Sequence, residues 1–131
     1  MTEVSGKHTK ISIDLKKFRI RVHKEALHLL GDPSYIQLLV SRNLKMVAIR
    51  AVEQGNIDIQ AHKVSQASMA SDFSFEIYSR PFLQKLCNVF DGLQEGYSYC
   101  ITGTVIPLER AAVFSLDALE KIEEQGRIYG K

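Results

Sequence analysis

Several kinds of segment are missing from this chain of 131 residues, and each absence excludes a class of protein. The longest apolar stretches, such as Tyr35 to Val40, are far shorter than the roughly 20 residues that a membrane-spanning helix needs. Residues 1–10 contain no apolar run of the kind that secretory signals carry. The chain also has no long charge run and no low-complexity tract. We therefore expect a folded cytoplasmic protein with no membrane contact.

The motifs that mark many enzymes and metal proteins are absent as well. The chain has no glycine-rich phosphate loop, no nucleophile elbow, no HExxH and no CxxC. Of the four histidines, His23 and His28 are five residues apart, which is not the spacing of zinc ligands on a helix. Cys87 and Cys100 lie in apolar settings and are predicted to be free thiols. We expect no enzymatic activity, no metal and no cofactor.

Composition and charge fit one domain with one basic half. Hydrophobic residues make up 45% of the chain, and residues 1–131 are long enough for a single core. Residues 1–65 carry 11 lysines and arginines against 6 acidic residues, whereas residues 66–131 carry 6 against 9. A basic half permits an anionic partner without requiring one.

The first half reads as strand, short helix and hairpin. Apolar residues alternate with polar ones from Lys10 to Leu15, and the alternation continues through Phe18, Ile20 and Val22, which predicts a half-buried strand with a cationic outer face. A helix of about two turns follows and ends at Gly31. Two runs rich in β-branched and aliphatic residues, Tyr35–Val40 and Lys45–Val52, predict a hairpin. Ile57 and Ile59 fit one further short strand.

The second half repeats this order. Phe75 and Ile77 predict a strand, Pro81 opens a helix, and Tyr97–Thr102 with Ala111–Leu116 predict a second hairpin, whose loop contains Gly103 and Pro107. We interpret the chain as an α+β fold in which two degenerate strand-helix-hairpin repeats form a pseudo-symmetric β-barrel-like domain. The first repeat spans 10–59, a linker spans 60–72, and the second repeat spans 73–116.

A carboxyl-terminal helix is predicted over residues 117–126. Asp117 is placed to cap it, and Leu119 and Ile122 would face inward while the glutamates face water. We expect this helix to pack on its own domain, with self-association as the alternative.

The segment Arg19 to Val52 resembles the swapped-hairpin DNA-binding module of the AbrB and MraZ transcription regulators. The similarity lies in Ile20-Arg21-Val22-His23-Lys24-Glu25, in Leu29-Leu30-Gly31 and in the hairpin that follows. In that family a strand enters a short helix closed by Leu-Gly, and the hairpin interlocks with a second copy. MraZ-like proteins carry two such units in one chain. His23 stands where the family motif has proline.

The resemblance implies a DNA-binding transcription regulator or accessory protein that contacts duplex DNA through basic side chains. The residues implied are Lys16, Lys17, Arg19, Arg21 and Lys24, with Arg42 and Lys45 adding to the surface from the hairpin turn. Alternation on a strand would project Lys17, Arg19 and Arg21 at intervals of roughly 7 Å. The alternative is that these cations only solvate the outer strand face. Family practice also favours a homodimer.

A non-enzymatic protein–protein interaction module is the rival hypothesis. Tyr78 is in phase with the outer face of its strand, and the acidic second half and the predicted terminal helix offer further contact surfaces. The absence of tryptophan and the low net charge of +2 favour this alternative. A ligand-sensing barrel is a third hypothesis, which no sequence feature supports.

Overall fold

A computed structural model of the chain describes residues 7–52, 61–64 and 74–122. Antiparallel strands form a nearly closed, barrel-like sheet with few helices, as the predicted α+β barrel-like class requires. The strands are β1 (Lys7–Asp14), β2 (Arg19–His23), β3 (Tyr35–Ser41), β4 (Met46–Ala51), β5 (Ala61–Lys63), β6 (Ser74–Tyr78), β7 (Ser98–Ile106) and β8 (Ala111–Ile122). The helices are α1 (Lys24–Leu29) and α2 (Arg80–Val89), with a 3-10 turn at Pro107–Glu109. Neither α-helix has the length and hydrophobicity needed to cross a bilayer.

The order of strands in the sheet is β5-β3-β4-β8-β7-β1-β2-β6. Three strand pairs join the halves of the chain directly: β1 with β7, β2 with β6, and β4 with β8. The amino-terminal strand β1 lies between β7 and β2, so it is also held by both halves. Neither half of the sequence therefore has a sheet of its own.

One hydrophobic core fills the interior of the sheet. Its fully buried members come from both halves of the chain and include Ile11, Ile20, Ile36, Phe75 and Phe114. These residues occupy alternate positions on their strands, so the intervening polar residues face outward. The period-2 pattern in the sequence thus sets which face of each strand carries the basic and acidic side chains.

The amino-terminal alternation belongs to two strands rather than to one continuing strand. Buried positions change from odd to even numbers between Leu15 and Phe18, and the chain reverses there in a turn that places Phe18 at φ 55°. β1 and β2 therefore pair antiparallel, with Ile13 opposite Ile20. The turn also brings the two cationic positions of β2 beside the outer face of β1.

Both predicted internal helices are present. α1 ends before Gly31, which adopts φ +91°, a conformation that glycine takes without steric cost. Ser79 caps the start of α2, and its Oγ accepts a hydrogen bond from the backbone N–H of Phe82 at 3.4 Å. Leu83 and Leu86 of α2 are fully buried against the sheet. The helices are thus fixed by local end signals and by one apolar face each.

The predicted helix over 117–126 is wrong for residues 117–122, which continue strand β8; residues 123–126 lie outside the described residues. The start of β7 pairs with this stretch, placing Ile101 opposite Leu119 and Ser98 opposite Ile122. Pairing satisfies backbone N–H and C=O groups that a short, one-sided helix would leave partly open to water. Gly103 lies in β7, not in the hairpin loop as predicted, and a register shift between Ile101 and Gly103 accommodates the longer strand.

The predicted linker over 60–72 is wrong for Ala61–Lys63, which forms β5 on the edge of β3. The pairing places His62 opposite Ile36, and the backbone N–H of Val64 donates to the carbonyl of Ser34 at 2.8 Å. Backbone hydrogen bonds to an available edge recruit this segment despite its weak apolar pattern. The strand predicted at Ile57 and Ile59 lies outside the described residues.

Candidate nucleic-acid interface

The β1–β2 hairpin presents its cations on the outer face of the sheet. Ile20 and Val22 are fully buried, so the alternating residues Arg19 and Arg21 point outward. Lys16 and Lys17 lie in the turn and are exposed. The outer face of β2 therefore carries Arg19 and Arg21, whereas Lys17, predicted on the same strand, lies in the turn before it.

Asp14 shapes that turn. Its Oδ1 accepts hydrogen bonds from the backbone N–H groups of Lys16 at 2.8 Å and Lys17 at 3.2 Å, and its Oδ2 accepts from Arg19 Nε at 3.0 Å. Burial raises the pKa of Asp14, but the two backbone hydrogen bonds and Arg19 outweigh burial, so the pKa lies below its ordinary value. Asp14 is therefore ionised at neutral pH and holds both the turn and Arg19.

Glu76 on β6 lies between the two arginines of β2. Its Oε2 accepts hydrogen bonds from Arg19 Nη1 and Arg21 Nε, each at 3.0 Å, and from Arg21 Nη2. Register brings them together, because Arg21 is directly opposite Glu76 and Arg19 is opposite Tyr78. The Glu76 side chain is 10% exposed, whereas that of Arg21 is 43% exposed. The two arginines predicted to contact phosphate thus both bind the Glu76 carboxylate in this structure.

The hydrogen bonds around Glu76 favour its charged form. Burial raises the pKa of Glu76, but hydrogen bonds from Arg21 and Tyr78 and the positive charges of both arginines lower it below its ordinary value. The pKa of Arg19 is raised, first by its hydrogen bond with Tyr78 and then by Glu76 and Asp14 against the effect of burial. At neutral pH this cluster holds two carboxylates and two guanidinium groups, so its formal charge is zero.

A shallow groove adds one cation, Lys10, that the sequence pattern had not indicated as a site residue. It has a volume of about 350 Å³ and lies across β7, β1, the end of β2 and the start of α1. Its lining residues are His8, Thr9, Lys10, His23, Glu25 and Thr102. The alternation of Ile11 and Ile13 could have indicated His8 and Lys10, since these positions share the outer face of β1. Lys10 is exposed and lies opposite Thr102.

The remaining basic residues of the prediction fall in two places. Lys24 is the first residue of α1, exposed and directly after His23, so it adjoins the groove. Arg42 and Lys45 lie in the turn between β3 and β4, where both are exposed. Strands β8, β7 and β1 separate β4 from β2 in the sheet. The structure therefore groups five of the seven predicted residues on the β1–β2–α1 segment and places Arg42 and Lys45 on another hairpin.

Tyr78, the predicted protein contact, belongs to the same network as the arginines. Its side chain is 62% exposed, and its hydroxyl donates to Glu76 Oε1 at 3.1 Å and accepts from Arg19 Nη1 at 3.4 Å. The two predicted sites are thus neighbours rather than separate surfaces.

A second recess, of about 220 Å³, lies beside the arginines between β1, β2, β7 and β8. Its polar lining consists of Ser12, Asp14, Arg19, Arg21 and Ser98. Hydroxyl and guanidinium groups together can hydrogen-bond a phosphate oxygen.

The part of the chain that the structure describes holds neither a cluster of metal ligands nor a disulfide. Residues 7–52, 61–64 and 74–122 contain no cluster of three or more histidine, cysteine or acidic side chains suited to a metal ion. Cys87 and Cys100 are free thiols and partly buried, and burial together with the charge of Glu95 raises the pKa of Cys87. A raised pKa makes a thiol less reactive at neutral pH.

Comparison of the chain with protein-family models, with curated proteins and with solved structures gives no match.

Proposed function

We propose that this protein is a non-enzymatic, cytoplasmic DNA-binding regulator or accessory protein that contacts duplex DNA through the outer face of its β1–β2 hairpin. The observation that carries the proposal is the continuous set of cationic positions from the turn to the start of α1. It comprises Lys10, Lys16, Lys17, Arg19, Arg21 and Lys24. Side chains on alternate residues of a strand are spaced at roughly 7 Å, which suits contact with successive phosphates.

The family relationship proposed with this function is to the swapped-hairpin regulators of the AbrB and MraZ type. Support comes from the order of strands in the sheet. If β1 is exchanged with β5, β2 with β6, β3 with β7 and β4 with β8, each observed strand pair becomes an observed strand pair again. The exception is β1–β2, which would become β5–β6. A pseudo-twofold barrel of two interlocked units has this property. On this proposal the units consist of β1–β4 with α1 and β5–β8 with α2.

Backbone geometry supports the same duplication. Gly31 and Gly96 precede the two hairpins at φ +91° and +92°. Lys45 and Arg110, at φ 52° and 50°, end the two hairpin turns. The spacing from Gly31 to Gly96 equals the spacing from Lys45 to Arg110. A single alignment of the first half on the second therefore superimposes both pairs.

Titration of a labelled random duplex, followed by fluorescence anisotropy at several salt concentrations, tests the DNA-binding function. We expect affinity to fall as salt rises, because phosphate contacts release counterions. In the variant Lys10→Glu/Lys17→Glu, the slope of log K against log salt should decrease by about two, roughly one for each lost phosphate contact. These lysines are chosen because reversing Arg19 or Arg21 would place two carboxylates together at Glu76.

The matched control is Lys63→Glu/Lys85→Glu, which makes the same charge change on β5 and α2. Both of its lysines are exposed. The control should bind more tightly than the β1–β2 variant. Equal weakening by both would show only a response to net charge, and no binding by the unmodified protein at low salt would contradict the function.

Self-association is the second candidate function, and an exposed apolar turn favours it. Leu108 is 97% exposed and Ile106 is 38% exposed at the β7–β8 turn. Residues 117–122 belong to strand β8, so this proposal rests on the turn and not on a terminal helix. Sedimentation equilibrium should give a dimer for the unmodified protein and a monomer for Leu108→Ser. A monomer at all concentrations would contradict a homodimer.

A further inference from the structure

The cluster of Arg19, Arg21 and Glu76 has the composition of an occupied phosphate site. A single carboxylate oxygen, Glu76 Oε2, accepts three guanidinium N–H groups from two arginines. Phosphate oxygens accept the same charge-assisted hydrogen bonds from arginine, with similar geometry. Glu76 therefore supplies the negative charge that these arginines would otherwise take from a nucleic-acid backbone.

The two arginines are held to different degrees. Arg19 bridges two carboxylates, Asp14 and Glu76, and its side chain is 21% exposed. Among the described residues, the hydrogen bonds of the Arg21 side chain go to Glu76 alone, and 43% of its surface is exposed. Arg21 can therefore turn toward an incoming anion while Arg19 keeps its partners.

We propose that Glu76 is an internal phosphate substitute that competes with DNA for Arg21, while Arg19 stays as the fixed anchor of the cluster. The proposal rests on the DNA-binding function above and deepens it by naming how the face is restrained. In the free protein Glu76 cancels the charge of Arg21 and lowers affinity for any duplex. On binding, the Arg21 guanidinium exchanges Glu76 Oε2 for a phosphate oxygen, and the freed carboxylate keeps the hydrogen bonds from Arg19 and Tyr78.

The test compares the unmodified protein, Glu76→Gln and the control Glu109→Gln in the same anisotropy titration with a random duplex. Glutamine has the size of glutamate and still accepts hydrogen bonds, but it removes the competing charge. Glu109→Gln makes the same change in net charge at an exposed position of the 3-10 turn. Glu76→Gln should bind on the order of tenfold more tightly at low salt, with a salt slope steeper by about one. Glu109→Gln should stay close to the unmodified protein.

The outcomes separate the two levels of the proposal. If the unmodified protein binds DNA and Glu76→Gln binds no more tightly than Glu109→Gln, the competition is overturned and the DNA-binding function stands. If none of the three proteins binds at low salt, the DNA-binding function fails and the competition fails with it. Thermal unfolding of each variant checks that the compared proteins are folded.

A measurement on the unmodified protein avoids any risk from substitution. Nε–Hε resonances of arginine in an isotope-labelled sample report the hydrogen-bond partner of each guanidinium. On titration with duplex, the Arg21 resonance should shift strongly and that of Arg19 only slightly, with assignments taken from Arg21→Lys and Arg19→Lys spectra. An unchanged Arg21 resonance at saturating DNA would overturn the exchange.

Discussion

The β3–β4 and β7–β8 hairpins have the same register near their turns but differ in the size of the side chains at matching residue pairs. Counting from the turn, the fourth residue pair is Leu38 with Ile49 in the first hairpin and Gly103 with Phe114 in the second. The first hairpin thus has two aliphatic side chains at this pair, whereas the second has one aromatic ring opposite a glycine without a side chain. A Cβ on Gly103 would overlap the Phe114 ring and the carbonyl oxygen of Val113. Positions at the same distance from a hairpin turn can therefore require opposite side-chain sizes.

Substituting alanine at both positions gives the largest expected effect and tests this difference. Gly103→Ala should destabilise the protein by about 3 kcal/mol because it overpacks the β7–β8 hairpin. Leu38→Ala should cost about 2 kcal/mol for the opposite reason, since it leaves a cavity. Urea denaturation measures both. Adding Phe114→Leu to Gly103→Ala should recover part of the loss, and a Gly103→Ala protein as stable as the parent would break the comparison.

The two hairpin turns differ in what their left-handed residue does. Lys45 is exposed, whereas Arg110 reaches across to α1, where its Nε donates to the carbonyl oxygen of Leu30 at 3.0 Å. A Cβ on Gly31 would lie 3.3 Å from the same Nε, so the glycine gives Arg110 room to reach the helix end. The second turn therefore helps to cap a helix of the first half.

Glycine substitution should affect these two turns in opposite directions. Lys45→Gly should stabilise the protein by about 0.5 kcal/mol, because glycine adopts positive φ without the steric cost of a side chain. Arg110→Gly gains the same relief but loses the hydrogen bond to Leu30, and we expect a net loss of about 1 kcal/mol. Paired thermal and urea unfolding curves measure the signs. Two changes of the same sign would contradict the capping role of Arg110.

The strands that pair with β7 and with β3 supply the third difference between the halves. Ile101 of β7 pairs with the fully buried Ile11 of β1, whereas Ile36 of β3 pairs with His62 of β5. Burial lowers the pKa of His62 below its ordinary value, so the neutral imidazole is favoured in the folded protein. Below the ordinary histidine pKa, His62 therefore binds a proton more readily in the unfolded chain than in the folded protein.

The smallest predicted effect is therefore a pH dependence of stability that requires His62. Stability should be fully present above the ordinary histidine pKa, near 6.5, and decrease as pH falls from there through the lower folded-state pKa. The change between pH 7 and pH 5 should be less than about 1 kcal/mol. His62→Gln should flatten the stability profile in this range, while the exposed-site control His8→Gln should not. An unaltered profile in His62→Gln would contradict the assignment.

Local patterns predicted the helices and most strands because those elements depend on residues close in sequence. Gly31 and Pro81 mark helix ends, and alternating apolar residues mark β2 and β6. Besides the turn between β1 and β2 and the position of Gly103, two segments were predicted incorrectly because a partner strand outweighs their local preference. Residues 117–122 read as an amphipathic helix yet pair with β7, and Ala61–Lys63 reads as linker yet pairs with β3. In both cases backbone pairing with a distant strand sets the conformation.

The candidate site shows the same division. Alternation indicated that Arg19 and Arg21 face outward, and the structure agrees. Glu76 forms ion pairs with both arginines because of the antiparallel register of β2 with β6, which joins residues more than fifty positions apart in sequence. Periodicity within one strand carries no information about which residue of another strand lies opposite.

The inward and outward faces of the strands, the ends of the two helices and the basic character of the first half follow from the amino-acid sequence alone. These follow from side-chain period, end-capping residues and composition, all of which act over a few residues. Three features depend on the tertiary fold: the two halves share one sheet, β8 extends to Ile122, and Glu76 is ion-paired with both arginines. Those features come from long-range backbone pairing, whose register is set by the packing of the whole core.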